Sequence, residues 1–348
     1  MDLIHPQAKP DVVEAVRRAN ADGRRLLVVG GRRHADKGNP TTVDAELWTT
    51  QLDRLVAYEP AEMIAVVEAG MRVGELRRLL AEGGQEWPAD ADEDATVGGV
   101  VASGASSPRR LKVGALRDTV LETEIVTGDG RAVRSGARTV KNVTGYDLHK
   151  LVAGSLGTLA VIVQLALKVR PLPEARRTIR LRGGFDVAEA VLDAVPASAS
   201  VLATPDGVEV RLEGWAEEVD EQTRATAEVA EPIEAFDDGA VPSSRPWEAA
   251  PVVAEVAVPP SRLAEVVEGD AWGALPGVGI AWAGLEDAGD PLERLRRRAR
   301  DAGGIAPVVR GPGGLGDDPV AAPEIQRRLK DAFDPNGVLA PGRGWGGI

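Results

Sequence analysis

Apolar and polar positions along the chain fall into short blocks punctuated by glycine and proline. Near the start, Val12, Val13, Ala15 and Val16 follow Asp11, with Glu14 three residues on, which predicts a capped amphipathic helix ending near Gly23. The apolar run Leu26 to Val29 predicts a strand halted by Gly30 and Gly31. From Gly31 to Thr42 there is no apolar period, and a loop is expected. Met63 to Ala69 predicts another strand, and Leu76, Leu79 and Leu80 on one face predict a helix over about Val73 to Ala81. Glycine and proline crowd the stretch Glu86 to Asp118, which is expected to be mostly irregular. Val120 to Thr127 and Arg131 to Val133, joined by Gly128-Asp129-Gly130, predict a hairpin. The Val, Ile and Leu of Thr158 to Val169 predict a buried strand that Arg170-Pro171-Leu172-Pro173 ends.

Beyond that break, strands are expected at Thr178 to Leu181, Val201 to Thr204, Val208 to Leu212, Val252 to Val258 and Val278 to Trp282. Helices are expected near Val187 to Val195, Arg262 to Val267 and Leu292 to Arg300, so this part reads as a small α+β domain. The acidic run Ala216 to Gly239 reads as a solvated helix and loop, Glu324 to Ala332 as a helix, and the last residues as turns. The expected division is 1–173, 174–325 and a tail, 326–348.

Composition narrows the function. A chain of 348 residues, 43% hydrophobic and 27% charged, can bury a core and should fold. A net charge of -13 argues against nucleic acid as a partner, because phosphate-backbone binders cluster Lys and Arg. No apolar run reaches the roughly 18 residues of a membrane span, and no signal-peptide pattern opens the chain, so a cytoplasmic protein without a transmembrane segment is expected. Without cysteine the chain offers no disulfide, thiolate nucleophile or iron–sulfur ligation of its own. His5, His34 and His149 lie far apart, and no metal site is expected.

Three glycine-rich segments carry the candidate chemistry. In the first, VVGGRRHADKG, the paired Gly30 and Gly31 allow backbone N–H groups to converge on an anion such as a pyrophosphate; a plain turn is the alternative. It lacks the G-x-G-x-x-G spacing of a Rossmann fingerprint, which disfavours NAD. In the second, Ala95 to Asp118, Gly98, Gly99 and Gly104 permit close backbone approach, and Thr96 and Ser103 offer hydroxyls to phosphate or ribitol oxygens; a structural loop is the alternative. In the third, Gly154-Ser155-Leu156-Gly157-Thr158 forms a tight loop into the buried strand, either as a ligand-binding edge or as a simple strand entry.

In this order the segments resemble the FAD-binding domain of the vanillyl-alcohol oxidase and p-cresol methylhydroxylase (PCMH) superfamily, and most resemble its glycolate oxidase FAD-binding subunits. The resemblance implies an α+β fold: a two-lobed PCMH-type FAD-binding domain with a smaller α+β, ferredoxin-like cap. It implies non-covalent FAD held by Gly30, Gly31, Arg32, Arg33 and His34 at the pyrophosphate, by Thr96, Val97, Gly98, Gly99, Ser103 and Gly104 with Pro88 of the same stretch along the ribityl and flavin, and by Gly154, Gly157 and Ile162 near the adenine. The tail FDPNGVLAPGR, Phe333 to Arg343, is similar to the family's terminal segment that returns to the flavin domain. The function implied is an FAD-dependent oxidoreductase, the flavin-binding subunit of a glycolate oxidase-like 2-hydroxy-acid dehydrogenase complex. Its implied partners are a larger homologous flavin subunit, an iron–sulfur subunit and a small 2-hydroxy acid. A self-sufficient FAD-linked dehydrogenase and a non-catalytic scaffold of the same fold are the alternatives.

Two positions depart from the family pattern. Arg32-Arg33 stand where relatives carry glycine and threonine, so the anion is expected to gain guanidinium contacts, and Ala340 stands where relatives carry asparagine. For catalysis, Arg109 and Arg110 read as a carboxylate clamp or, more simply, as a surface or partner-contact pair. Tyr146 reads as a ring packed under the flavin loop, His149 as a satisfied histidine capping a turn, and Arg310 as a flavin contact or a salt bridge. The catalytic base is left unassigned.

Overall fold

The computed structural model describes residues 1–139, 147–237, 245–316 and 322–348. Tyr146 lies outside the described residues. The chain forms two compact units, one of Met1–Ser107, Ala115–Leu172 and Pro319–Ile348, the other of Pro108–Gly114 and Pro173–Asp318. Pro108–Gly114, expected with the flavin domain, packs with the second unit instead. Leu111 would be 3.2 Å from a Cβ at Gly277, and Lys112 donates to the Glu213 carbonyl.

In the first unit, strand β1 (Asp2–Ile4), helix α1 (Lys9–Ala21), β2 (Leu26–Val29) and β3 (Ala45–Trp48) build a small parallel sheet of order β1-β3-β2. The expected cap of α1 shifts by one turn. Ala8 holds the N-cap position, and Asp11, inside the helix, accepts from the Gln7 and Ala8 amides at 3.0 Å each, so its carboxylate satisfies amides upstream of it. Then come β4 (Leu55–Glu59), β5 (Ile64–Glu68), α2 (Val73–Glu82), β6 (Gln85–Glu86), α3 (Val97–Ser103) and α4 (Arg110–Val113, in the second unit). They are followed by β7 (Val120–Thr127), β8 (Ala132–Gly136), α5 (Leu148–Leu151), β9 (Ala160–Lys168) and β10 (Arg170–Pro171). The sheet β4-β5-β9-β7-β8 is antiparallel throughout. One core packs this sheet against α2 and α3 through Leu76, Leu80, Val97, Val101, Leu165 and Leu167. A second core joins Val12 and Val16 of α1 to Leu26, Leu47, Val161 and Val163. Strand β9 contributes to both, so this unit has two lobes hinged on one strand.

Helix α3 interrupts the mostly irregular backbone expected between Glu86 and Asp118. Thr96 caps it, its Oγ1 accepting from the Gly99 amide at 3.2 Å. Gly98 is required by packing: a Cβ there would stand 2.7 Å from the Ala69 Cβ. The glycines that suggested loop therefore mark a helix pressed against its neighbours.

The second unit holds β11 (Ala175–Leu181), α6 (Phe185–Ala194), β12 (Ser200–Thr204), β13 (Gly207–Gly214), α7 (Ala216–Val229) and β14 (Pro232–Asp237). It continues with β15 (Val252–Ala257), β16 (Trp272–Leu275), β17 (Ile280–Leu285), α8 (Asp290–Asp301) and β18 (Val308–Arg310). All eight strands form one antiparallel sheet, β14-β11-β13-β12-β16-β17-β15-β18. The first half is a β-α-β-β-α-β unit of ferredoxin-like strand order. The second half repeats that order in reverse across the β12–β16 junction, Ala203 opposite Ala274, with a 3₁₀ turn at Pro260–Glu265 where the first helix would be. That turn replaces the helix expected near Arg262 to Val267. Strand β14 also corrects an expectation, since it lies in the acidic run read as helix and loop. Its charges have cross-strand partners, Glu234 with Arg180 at 3.1 Å and Asp237 with Arg177 at 2.9 Å.

After helix α9 (Pro323–Phe333) the tail returns to β2 in the first unit: the Leu26 amide donates to the Val338 carbonyl at 2.7 Å, and the Ala340 amide to the Leu26 carbonyl at 2.8 Å. Among the described residues, no helix is long and apolar enough to cross a membrane.

Candidate functional site

The end of β2, the N-terminal part of α3 and the entry to β9 face one cleft in the first unit, enclosing about 820 Å³ out to its open mouth. Val28 and Val29 lead into Gly30 and Gly31, and both glycines are forced. A Cβ on Gly30 would lie 2.1 Å from Thr96 Oγ1, and one on Gly31 would lie 2.5 Å from the Asp94 carbonyl oxygen. The loop after β2 and the start of α3 are thus in backbone-to-backbone contact. The third segment reaches the same place because the Leu156 amide donates to the Ala102 carbonyl at 2.8 Å and the Gly154 amide to the Val101 carbonyl at 2.9 Å. Leu156 adopts φ +55, which turns the chain sharply ahead of Gly157 at φ +75.

Eleven of the expected site residues line this cleft: Gly30, Gly31, Arg32, Arg33, His34, Thr96, Gly98, Gly99, Ser103, Gly157 and Ile162. Four do not. Val97 is fully buried in the core, and Pro88 is buried away from the lining. Gly104 and Gly154 press together behind the cleft wall, a Cβ on Gly104 falling 2.9 Å from the Gly154 Cα. The hydroxyls are partly committed: Ser103 donates to the Val100 carbonyl at 2.9 Å, and Thr96 Oγ1 accepts the capping bond of α3.

The basic loop behaves differently from its sequence. Arg32, in the left-handed region at φ +57, pairs with buried Glu46 and lies 4.9 Å from the Trp48 ring centroid, while the Trp48 indole N–H donates to the other Glu46 oxygen at 2.9 Å. Arg33 pairs with Asp94 and, at 3.4 Å, with Asp92. His34 Nε2 is shut off from solvent without a hydrogen-bond partner. Burial pushes the His34 pKa down, Lys37 adds to the shift, and Asp92 opposes it.

Arg343, which the sequence reading did not place in the site, lines the cleft and donates to the Ala35 and Lys37 carbonyls at 2.8 and 2.7 Å. With the Asn39 amide donating to the Arg343 carbonyl at 2.8 Å and Thr41 Oγ1 to the Pro341 carbonyl at 2.6 Å, the tail straps the loop Gly31 to Thr42. The available signal was the similarity of the segment ending Pro-Gly-Arg to the family tail. Ala340 is buried with φ +40, a conformation that suits asparagine or glycine better.

Outside the cleft, Arg109 is 4% exposed and faces Glu213 at 3.5 Å, together with Arg211 at 2.9 Å, so it is neither a surface pair nor a free clamp. Arg310 donates to the Trp247, Glu248 and Ala250 carbonyls at 3.3, 2.6 and 2.8 Å, which makes it a backbone tie rather than a flavin contact or a salt bridge. His149 is buried and its amide donates to Ser135 Oγ at 3.2 Å. Among the described residues no group of three or more metal-ligating side chains gathers.

An FAD binding domain model matches residues 3–136. The chain is 31% identical to the glycolate oxidase subunit GlcE of Escherichia coli over 95% of its own length and 96% of that protein. It is 31% identical to a D-lactate dehydrogenase of Archaeoglobus fulgidus over 49% of its length, and 27% identical to the glycolate oxidase subunit GlcD of Bacillus subtilis over 57%. The chain spans only 38% and 45% of these two longer relatives. Among solved structures, an alkyldihydroxyacetonephosphate synthase matches with a TM-score of 0.70 and 17% identity over 97% of this chain and 75% of that one, a likeness of fold.

Proposed function

The chain belongs to the FAD-binding family of the glycolate oxidase subunit GlcE, and from that membership we propose that it is the flavin-binding subunit of a 2-hydroxy-acid dehydrogenase complex of the glycolate oxidase type. The observation that carries this reading is the meeting of three glycine-bearing segments around one cleft whose wall suits FAD. Its base is a close packing of the loop after β2 on the segment leading into α3 that any Cβ at positions 30 or 31 would break, and one lining residue, His34, carries a buried imidazole nitrogen without a hydrogen-bond partner. FAD bound there supplies two-electron acceptance from the carbon bearing the substrate hydroxyl.

This chain's residues bind and orient that group. Gly30 to His34 line the polar end, Thr96, Gly98, Gly99 and Ser103 the middle, and Gly157 with Ile162 the strand-entry end. In our reading FAD is held without a covalent bond, and the second unit, from about residue 174, acts as the cap.

A specific observation favours a partner-dependent subunit. Of the charged and titratable side chains lining the cleft, Arg32 and Arg33 are paired to carboxylates and Arg343 holds backbone carbonyls. Among the described residues only His34 remains as a proton carrier, and it stands in the glycine loop. We therefore assign the substrate's proton acceptor to a larger homologous flavin subunit, and any iron–sulfur cluster to a further cytoplasmic partner, since this chain has no cysteine.

The test is anaerobic addition of glycolate and of D-lactate to the FAD-loaded chain, alone and co-purified with its partner subunits, following flavin absorbance. Bleaching in the assembly alone is expected. Bleaching of the isolated chain would make it a self-sufficient dehydrogenase, and no bleaching in either preparation would contradict a 2-hydroxy-acid substrate.

A further inference from the structure

The loop after β2, residues 31–42, carries no large apolar side chain, so its position depends on polar ties rather than on a core of its own. Its near half is fixed by Arg32 on Glu46 and by Arg33 on Asp92 and Asp94. Its far half is fastened by the tail. Arg343 donates to the Ala35 and Lys37 carbonyls at 2.8 and 2.7 Å. The Asn39 amide and side chain donate to the Arg343 and Gly344 carbonyls at 2.8 and 2.9 Å, and Thr41 Oγ1 donates to the Pro341 carbonyl at 2.6 Å. Beneath these bonds Gly38 is buried, a Cβ there falling 2.9 Å from the Arg343 Cγ.

Resting on the flavin reading above, we propose that residues 341–344 form a strap that must release the loop for FAD to enter or leave the cleft, with Arg343 as its catch. The tail is built in two parts. Val338, Leu339 and Ala340 are 2% exposed or less and are bonded to β2 and to Asp334, so this stretch stays docked. Pro341, Gly342 and Arg343 are only half-buried. The boundary falls at two residues in the left-handed region, Ala340 at φ +40 and Gly342 at φ +85, where a small change of backbone angle swings the strap. On opening, the strap exchanges its hydrogen bonds for bonds to water, and each contributes little net, so release costs far less than unfolding the unit. Its effect reaches the site because Gly31 to Ala35 line the cleft at one end of the loop and Arg343 lines it from the tail. Thr41 is not part of that lining, so it acts on the cleft through the strap alone.

The experiment mixes the full chain with FAD and follows the quenching of flavin fluorescence, then dilutes the complex and follows its recovery, which gives the rates of entry and release. Hydrogen–deuterium exchange of the loop amides, measured without flavin, reports on the strap by itself. The variants are Thr41→Val, Arg343→Met and Arg343→Lys, each checked for folding by its melting temperature. Thr41→Val should speed entry and release alike by roughly threefold, and Arg343→Met, which loses two bonds, by roughly tenfold. The amides of residues 35–39 should exchange faster in the same order, and Arg343→Lys, which keeps a donor, should fall between Arg343→Met and the unaltered chain. Faster release with entry unchanged or slower in Arg343→Met would make Arg343 a direct contact to the nucleotide and overturn the strap, as would unaltered rates in Thr41→Val. Loop amides that exchange alike in all four chains would overturn it whether or not flavin binds. If the unaltered chain binds no FAD while the loop amides respond as expected, it is the flavin reading that fails, and the gating of FAD with it.

Discussion

Gly30 and Thr96 approach so closely that a Cβ at position 30 would stand 2.1 Å from Thr96 Oγ1, well inside contact distance. The hydroxyl that caps α3 thus also sets the height of the loop after β2, and the two glycine-rich segments form one surface although they are 66 positions apart in sequence.

Gly30→Ala is expected to abolish retention of FAD and to destabilise the first unit by about 1–3 kcal/mol, the usual cost of overpacking. Thr96→Ala alone loses the cap of α3, about 1 kcal/mol. In the double variant the clashing oxygen is gone and the nearest remaining atom is the Thr96 Cβ at 3.3 Å, so the double should be more stable than the sum of the singles. Additive losses in a denaturation cycle would contradict the contact.

Arg32 should act through Glu46. Arg32→Ala leaves a carboxylate 3% exposed without its partner, although the guanidinium itself is half in solvent, so a loss of about 1–3 kcal/mol is expected, below the cost for a fully buried pair. Adding Glu46→Gln should restore more than half of it. If the double variant is less stable than Arg32→Ala, the pair does not hold the loop.

The tail is anchored by a buried pair. Lys330 Nζ donates to Asp334 Oδ2 at 2.7 Å and to the Thr158 and Leu339 carbonyls at 2.7 and 2.8 Å, while Asp334 accepts from the Val338 and Leu339 amides at 2.8 Å each. Lys330→Met should cost about 3–5 kcal/mol, because it leaves Asp334 charged and buried. It should also weaken FAD binding, since Arg343 reaches the cleft from the same tail. Stability within 1 kcal/mol of the unaltered chain would contradict this.

His149 gives the pH dependence. Desolvation lowers its pKa, opposed by Asp147 and reinforced by Lys150, so the unfolded chain binds the proton more readily. The stability it contributes is complete above the ordinary histidine value of 6.5 and is lost as pH falls below it. Between pH 7 and pH 5 the unaltered chain should lose more stability than His149→Phe in parallel urea titrations; equal losses would show that His149 does not titrate on unfolding.

Much of the first unit was legible because its periods are plain: the run before Gly30, the leucine face of α2, the Asp-Gly hairpin and the valine-rich β9 all form as expected. Helix α3 was hidden because Gly98 and Gly99, which tolerate loops, serve here to bring α3 against Ala69 and Thr96, a tertiary demand that no local pattern records. Strand β14 was hidden because its partners Arg177 and Arg180 are 60 and 54 residues away. The ion pairs of Arg32 and Arg33 were hidden for the same reason. Their carboxylates lie on β3 and on the segment before α3, and only the fold shows that these cations are already neutralised.

The central claim is that the cleft of the first unit holds FAD. The most direct measurement is the absorbance spectrum of the purified chain after incubation with FAD and removal of free flavin, beside that of Gly30→Ala. A protein-bound flavin band at one FAD per chain, lost in Gly30→Ala and released on denaturation, is the predicted result. A chain that stays colourless while folded, or a Gly30→Ala protein that retains the full band, would contradict it.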